Sequence, residues 1–259
     1  MPGDARLPAC STAPFRAAEF RSREEFETYF RENERLMADR WLREQSLASR
    51  SDRVVLDGTC GLCLEEAEFT SHTEGGEATA AGRVPNWREG MMCSCDRRLI
   101  NRQRALLHYV LDTGALEPWM RVLGLGDMAA MEPVLQTCSA RLVSGPGALL
   151  QAGRERDGLK NPNYHLILSA DQLTKATAVK DLFAMLRRIL VGGGQFVFTA
   201  AFDPRAAPGE AAGPDRPCDW SLIPQLLDGG FANAKACLYW SEEFGYLGPG
   251  NFIFAAQAA

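Results

Sequence analysis

The sequence has no basic block. Its 28 Lys and Arg are set against 33 Asp and Glu, for a formal net charge of −5. Neutralising a phosphate backbone takes clustered Lys and Arg, so nucleic acid is excluded as the main partner. No apolar run reaches about 18 residues, so no membrane span is expected. Met1 to Pro14 has no apolar core of the signal-peptide kind, which points to a cytoplasmic chain. There is no internal repeat. Apolar residues are not scarce: at 46% of the 259 residues they support a sizeable core. The eight cysteines would stay reduced in the cytoplasm, where a tight cluster suggests metal before disulfide.

Residues 1–17, rich in Ala and Pro, read as a loose tail. Residues 20–48 read as one amphipathic helix with Phe26, Phe30, Leu36, Met37, Trp41 and Leu42 on its apolar face, docked on the core, with a partner-binding or substrate-covering helix as the alternative. A second helix is expected from about Arg98 to Leu111. An α/β alternation follows. Strands are expected at 121–125, 141–143, 164–169, 195–200, 234–239 and 251–256. Helices are expected at 132–136, 176–190 and 220–227, with Gly192-Gly193-Gly194 closing the 176–190 helix. This pattern predicts an α/β fold: a doubly wound, mostly parallel sheet behind an N-terminal helix and a small cysteine module. The expected divisions are 1–50, 51–112 and 113–259.

Cys60 and Cys63 have the C-x₂-C spacing that lets two thiolates grip one ion from a tight turn, which Gly61 eases. Cys93 and Cys95 form a closer pair just before a helix, across a gap of 29 residues. Four thiolates in two pairs suit a structural, tetrahedral zinc with Zn–S bonds of about 2.3 Å. Ordinary buried thiols and redox chemistry are the alternatives. His72 is a substitute ligand candidate, while Cys10, Cys138, Cys218 and Cys237 read as small apolar fillers.

The run Tyr164-His-Leu-Ile-Leu-Ser-Ala-Asp171, the helix through Leu186-Arg-Arg-Ile-Leu190, and Gly192-Gly-Gly-Gln-Phe-Val-Phe-Thr199 resemble class I S-adenosylmethionine-dependent methyltransferases. They match that family's fourth strand, following helix and fifth strand. Cys60-x-x-Cys63, Asn86-Trp-Arg-Glu89, Cys93-x-Cys95 and Asn101-Arg-Gln-Arg-Ala105 resemble a subset with a cysteine knuckle ahead of the catalytic domain. The resemblance spans about 54 to 257. It implies a Rossmann-like methyltransferase fold, S-adenosylmethionine as cofactor and a small-molecule acceptor. The cofactor candidates it implies are Gly124, Gly126, Asp127, Ser144, Asp157 and Asp171.

The chain departs from the family at the cofactor. Gly126 of the glycine loop is kept, but the loop's acid is replaced by Gly124 and its later glycines by Met128 and Ala130. The second strand ends in Ser144 where the family has an acid for the ribose. Tyr164-His165 and Thr174-Lys175 replace the family's F-D and E-H pairs. His165, at a strand start, reads as structural, since the ligand edge lies at the other strand ends. Two functions follow. One is a methyltransferase with an atypical pocket, its acceptor met by the 203–217 loop and Trp220. Trp87, Trp119 and Trp240 are further aromatic candidates there. The other is a repurposed scaffold that has lost the cofactor and serves as a partner subunit or as a binding or cyclising fold. A protein partner or a homo-oligomer is compatible with either.

Overall fold

The computed structural model describes residues 12–95, 97–126, 128–145, 163–171, 179–207 and 217–259. Its strands are β1 (Ala17–Phe20), β2 (Arg53–Thr59), β3 (Glu66–His72), β4 (Glu77–Ala78), β5 (Arg83–Val84), β6 (Met92–Cys93), β7 (Arg121–Gly126), β8 (Arg141–Val143), β9 (Tyr164–Ala170), β10 (Leu190–Thr199), β11 (Phe231–Tyr239) and β12 (Phe252–Ala258). The helices are α1 (Arg23–Glu32), α2 (Glu34–Ser46), α3 (Asn101–Asp112), α4 (Glu132–Cys138), α5 (Val179–Ile189) and α6 (Leu222–Asp228).

The seven-stranded main sheet runs β1-β11-β12-β10-β9-β7-β8. β8, β7, β9 and β10 are parallel neighbours. β12 is inserted antiparallel between β10 and β11, and β1 pairs antiparallel with β11. The fold is therefore mixed α/β with a parallel-rich centre, as the element alternation predicts. The central strands are buried on both faces, which explains their unbroken apolar runs. Side chains alternate between two cores. Val122, Leu166, Leu168, Val197 and Ile253 join α3 and the cysteine module on one face. Leu123, Ile167, Phe196, Phe198, Phe252 and Phe254 join Phe183 and Leu186 of α5 on the other.

Residues 52–95 fold around a second sheet, ordered β2-β3-β6, with β4 and β5 as a separate pair. Phe69, Trp87 and Met91 of this region belong to the same apolar cluster as the main sheet. α3 ties the two together. The Arg104 guanidinium donates to the carbonyls of Met91, Phe244 and Gly245 and lies 4.2 Å over the Phe69 ring.

Three local expectations are corrected. The 20–48 helix is two helices broken at Asn33, whose backbone N–H and side-chain amide both donate to the Tyr29 carbonyl. Such a side chain offers the backbone an alternative to continued helix. Residues 12–17 are held down, with Phe15 packed on His108 and Tyr109 and Ala17 already in β1. Gly192 to Gly194 do not cap a helix. α5 ends at Ile189, and the glycines form an irregularity in β10 between Leu190 and Gln195. Gly193 there takes φ +75°, a conformation suited to a bulge. Among the described residues, no helix is long and apolar enough to cross a membrane.

Candidate functional site

The cysteine module gathers its thiols from two turns. Cys60 follows β2. Its carbonyl accepts from Leu64 N and its N–H donates to Glu65 O, closing a turn with Leu64 at φ +62°. Gly61 is needed for room: a Cβ there would stand 2.5 Å from the His108 ring. The Sγ atoms of Cys60, Cys63 and Cys95 lie within 4.8 Å of one another. Cys93 is outside that threesome, but its Sγ accepts from Cys95 N at 3.4 Å. A hydrogen bond from Cys93 draws the Cys60 thiol well below its ordinary value, while burial pushes Cys63 up. Sulfur atoms sharing one tetrahedral zinc sit about 3.8 Å apart given 2.3 Å bonds, so Cys60, Cys63 and Cys95 can share that ion with little movement. His72, exposed at the end of β3, is not in the cluster.

The cofactor candidates are placed unevenly. Asp127 and Asp157 lie outside the described residues. Gly124 and Gly126 sit in the last half of β7, with Gly126 at φ +86°. A Cβ on Gly124 would be 3.0 Å from Met128 Cγ and 3.3 Å from Ser144 Cβ, so Met128, 1% exposed, already covers this glycine. Ser144 Oγ donates to Glu132 Oε1 at 2.5 Å. Asp171, just past β9 at φ +56°, is gripped by Arg88: NH1 donates to Oδ2 at 2.5 Å and NH2 to Oδ1. Arg102 stands 3.4 Å away, and both arginines also meet Glu89. Burial opposes the charged form of Asp171, but the Arg88 hydrogen bonds and the charges of Arg88 and Arg102 outweigh it and hold the carboxyl below its ordinary value. The structure thus brings Gly124 and Ser144 together and commits Asp171 to the cysteine module. Among the described candidates, Ser144 and Asp171 are bonded within the protein, and Met128 packs on the open side of Gly124.

A large cavity lies elsewhere along the same edge. About 1110 Å³ opens between α1 and α2 on one side and, on the other, the segments that follow β10 and β11 and lead into β12. Phe202 to Arg205, Trp240, and Gly248 to Gly250 form its floor, and Phe26, Phe30, Met37 and Trp41 face it from the helices. Phe30 and Trp41 are 38% and 54% exposed. Of the apolar stripe of the predicted helix, Phe26 docks on the core, Phe30, Met37 and Trp41 face this space, and Leu36 and Leu42 are exposed outside it. Trp220 is buried behind it against Phe26 and Phe202. Part of the 203–217 loop lies outside the described residues, but Asp203 to Arg205 line the cavity. Trp87 is buried, and Trp119 is exposed at the opposite strand ends against His165. His165 Nδ1 accepts from Arg121 N, a structural placement away from the cavity. Glu44, on the cavity wall, was invisible as a site residue in the sequence, because a glutamate within an amphipathic helix carries no motif.

No family model matches the chain, and no curated protein matches it. Among solved structures it is similar to the carbon methyltransferase of CurJ: 15% identical, over 61% of this chain and 54% of that one, TM-score 0.41. It is also similar to the CMeT domain of the citrinin polyketide synthase: 12% identical, over 63% and 53%, TM-score 0.42. A third is a protein of Listeria monocytogenes assigned to the S-adenosylmethionine-dependent methyltransferases: 13% identical, over 61% and 99%, TM-score 0.40. The chain spans about half the length of the first two.

Proposed function

We propose that this chain is a methyltransferase-like protein repurposed as a binding scaffold. It takes a small molecule in the strand-edge cavity and does not hold S-adenosylmethionine. One observation carries the reading: each described polar side chain that should meet the cofactor is bonded inside the protein, Ser144 to Glu132 and Asp171 to Arg88. Calorimetric titration with S-adenosylmethionine and its demethylated product tests it. No heat at millimolar concentration is the expected result, and micromolar binding overturns the reading. A second reading is a small-molecule methyltransferase with an atypical pocket. It is favoured by Gly126, which keeps a positive φ at the end of β7, where the resemblance puts a cofactor glycine. In either reading the cysteine module carries one structural zinc through Cys60, Cys63, Cys93 and Cys95. It works as a brace: metal fixes the turns that present Arg88 to Asp171. A protein partner or a second copy of the chain is compatible with the exposed apolar residues of α2.

A further inference from the structure

Glu44 stands on the cavity wall, only 3% exposed. Its two hydrogen bonds fall on one oxygen. Trp240 Nε1 donates to Oε1 at 2.7 Å, and Gly248 N donates to the same atom at 2.8 Å. No described residue donates to Oε2. Oε2 meets the cavity solvent, and a molecule that displaces water from a carboxylate oxygen without replacing its donor costs free energy. A bound molecule with an O–H or N–H avoids that cost.

The rest of the cavity limits what that molecule is. Phe26, Phe30, Trp41, Phe202 and Trp240 give it aromatic walls, which favour a flat, apolar body. Its charges are balanced: Arg23, Arg31, Arg40 and Arg205 against Glu27, Glu34, Glu44 and Asp203. A cation would have to displace Arg40, whose guanidinium already lies 5.1 Å over the Trp240 ring. An anion would meet Glu44. We infer that the cavity takes an uncharged aromatic molecule that donates one hydrogen bond to Glu44 Oε2. This rests on the reading of the strand-edge cavity as the ligand site.

Four naphthalene probes test it on the full chain, with tryptophan fluorescence and calorimetry as readouts. They share one body: 2-naphthol carries a donor, 2-methoxynaphthalene has none, 2-naphthoate is an anion and 2-naphthylmethylammonium a cation. The expected result is that 2-naphthol binds about tenfold or more tighter than each of the others, the effect of one hydrogen bond to a charged acceptor. Glu44→Gln should abolish the preference over the ether. Trp41→Ala, a change at an exposed position, should weaken both naphthol and ether. Equal affinity for naphthol and ether, or a preference that survives in Glu44→Gln, overturns the inference and leaves the ligand-site reading in place. Tightest binding of the ammonium or the carboxylate overturns it in the same way. Binding of none of the four removes both.

Discussion

Arg88 holds Asp171 in a two-pronged ion pair across 83 residues of chain. One partner belongs to the cysteine module and the other to the turn after β9. Their side chains are 16% and 21% exposed. Removing one partner of such a pair strands the other charge out of water, a loss of about 2–4 kcal/mol. Arg88→Ala should therefore lower unfolding free energy by that amount in chemical denaturation. Asp171→Asn keeps a residue type that tolerates positive φ. It should cost less when introduced into Arg88→Ala than into the parent chain. Additive losses in that double-mutant cycle would show that the pair is not energetically coupled.

Two buried carboxyls give stability opposite pH dependences. Asp171 is held below its ordinary value by Arg88 and Arg102 against the effect of burial. Its contribution is present above the unfolded-state value and is lost as pH falls through the lower folded value. Glu44 is raised by burial, against donors from Gly248 and Trp240 and the charge of Arg40. Its contribution is fullest below the unfolded-state value and is lost as pH rises through the higher folded value. Stability measured from pH 3 to 8 should show Glu44→Gln gaining on the parent chain as pH rises above about 4.5. A constant difference across that range would mean that Glu44 titrates alike in both states.

The central run from β9 to β10 was legible because strands buried on both faces write continuous apolar sequence, and α5 between them carries a clean helical stripe. The glycines at 192–194 were misread because a helix stop and a strand bulge both call for positive φ. Asn33 hid the break between α1 and α2 inside an apolar periodicity that continues across it. At the site, Asn86 to Glu89 stood out, but the role of Arg88 did not, since its partner is set by tertiary structure. Glu44 was hidden for the same reason: its burial follows from Trp240 and Gly248, about two hundred residues away in the chain.

The cysteine cluster predicts metal. Purified chain should contain about one zinc. Cys60→Ser should reduce both zinc content and folding yield. Cys218→Ser, at a half-buried thiol outside the cluster, should leave zinc content unchanged. Metal-free, folded protein with four reactive thiols at Cys60, Cys63, Cys93 and Cys95 would remove the zinc assignment.

Gly124 separates a packing role from a cofactor role. Its backbone is not in the left-handed region, so alanine is allowed there by conformation. The added methyl would stand 3.0 Å from Met128 Cγ and 3.3 Å from Ser144 Cβ. Met128 is buried, so its Cγ has little freedom to withdraw. Overpacking of this size costs about 1–3 kcal/mol. Gly124→Ala should therefore destabilise the chain in denaturant titration. Met128→Ala alone should also destabilise it, by leaving a void. Combined, the two should cost less than the sum of their separate effects, because the new methyl occupies part of the space that Met128 vacates. If Gly124 were kept instead to let a cofactor approach the backbone, Met128 would yield to the methyl. Gly124→Ala would then leave stability unchanged, and its only effect would be on S-adenosylmethionine binding.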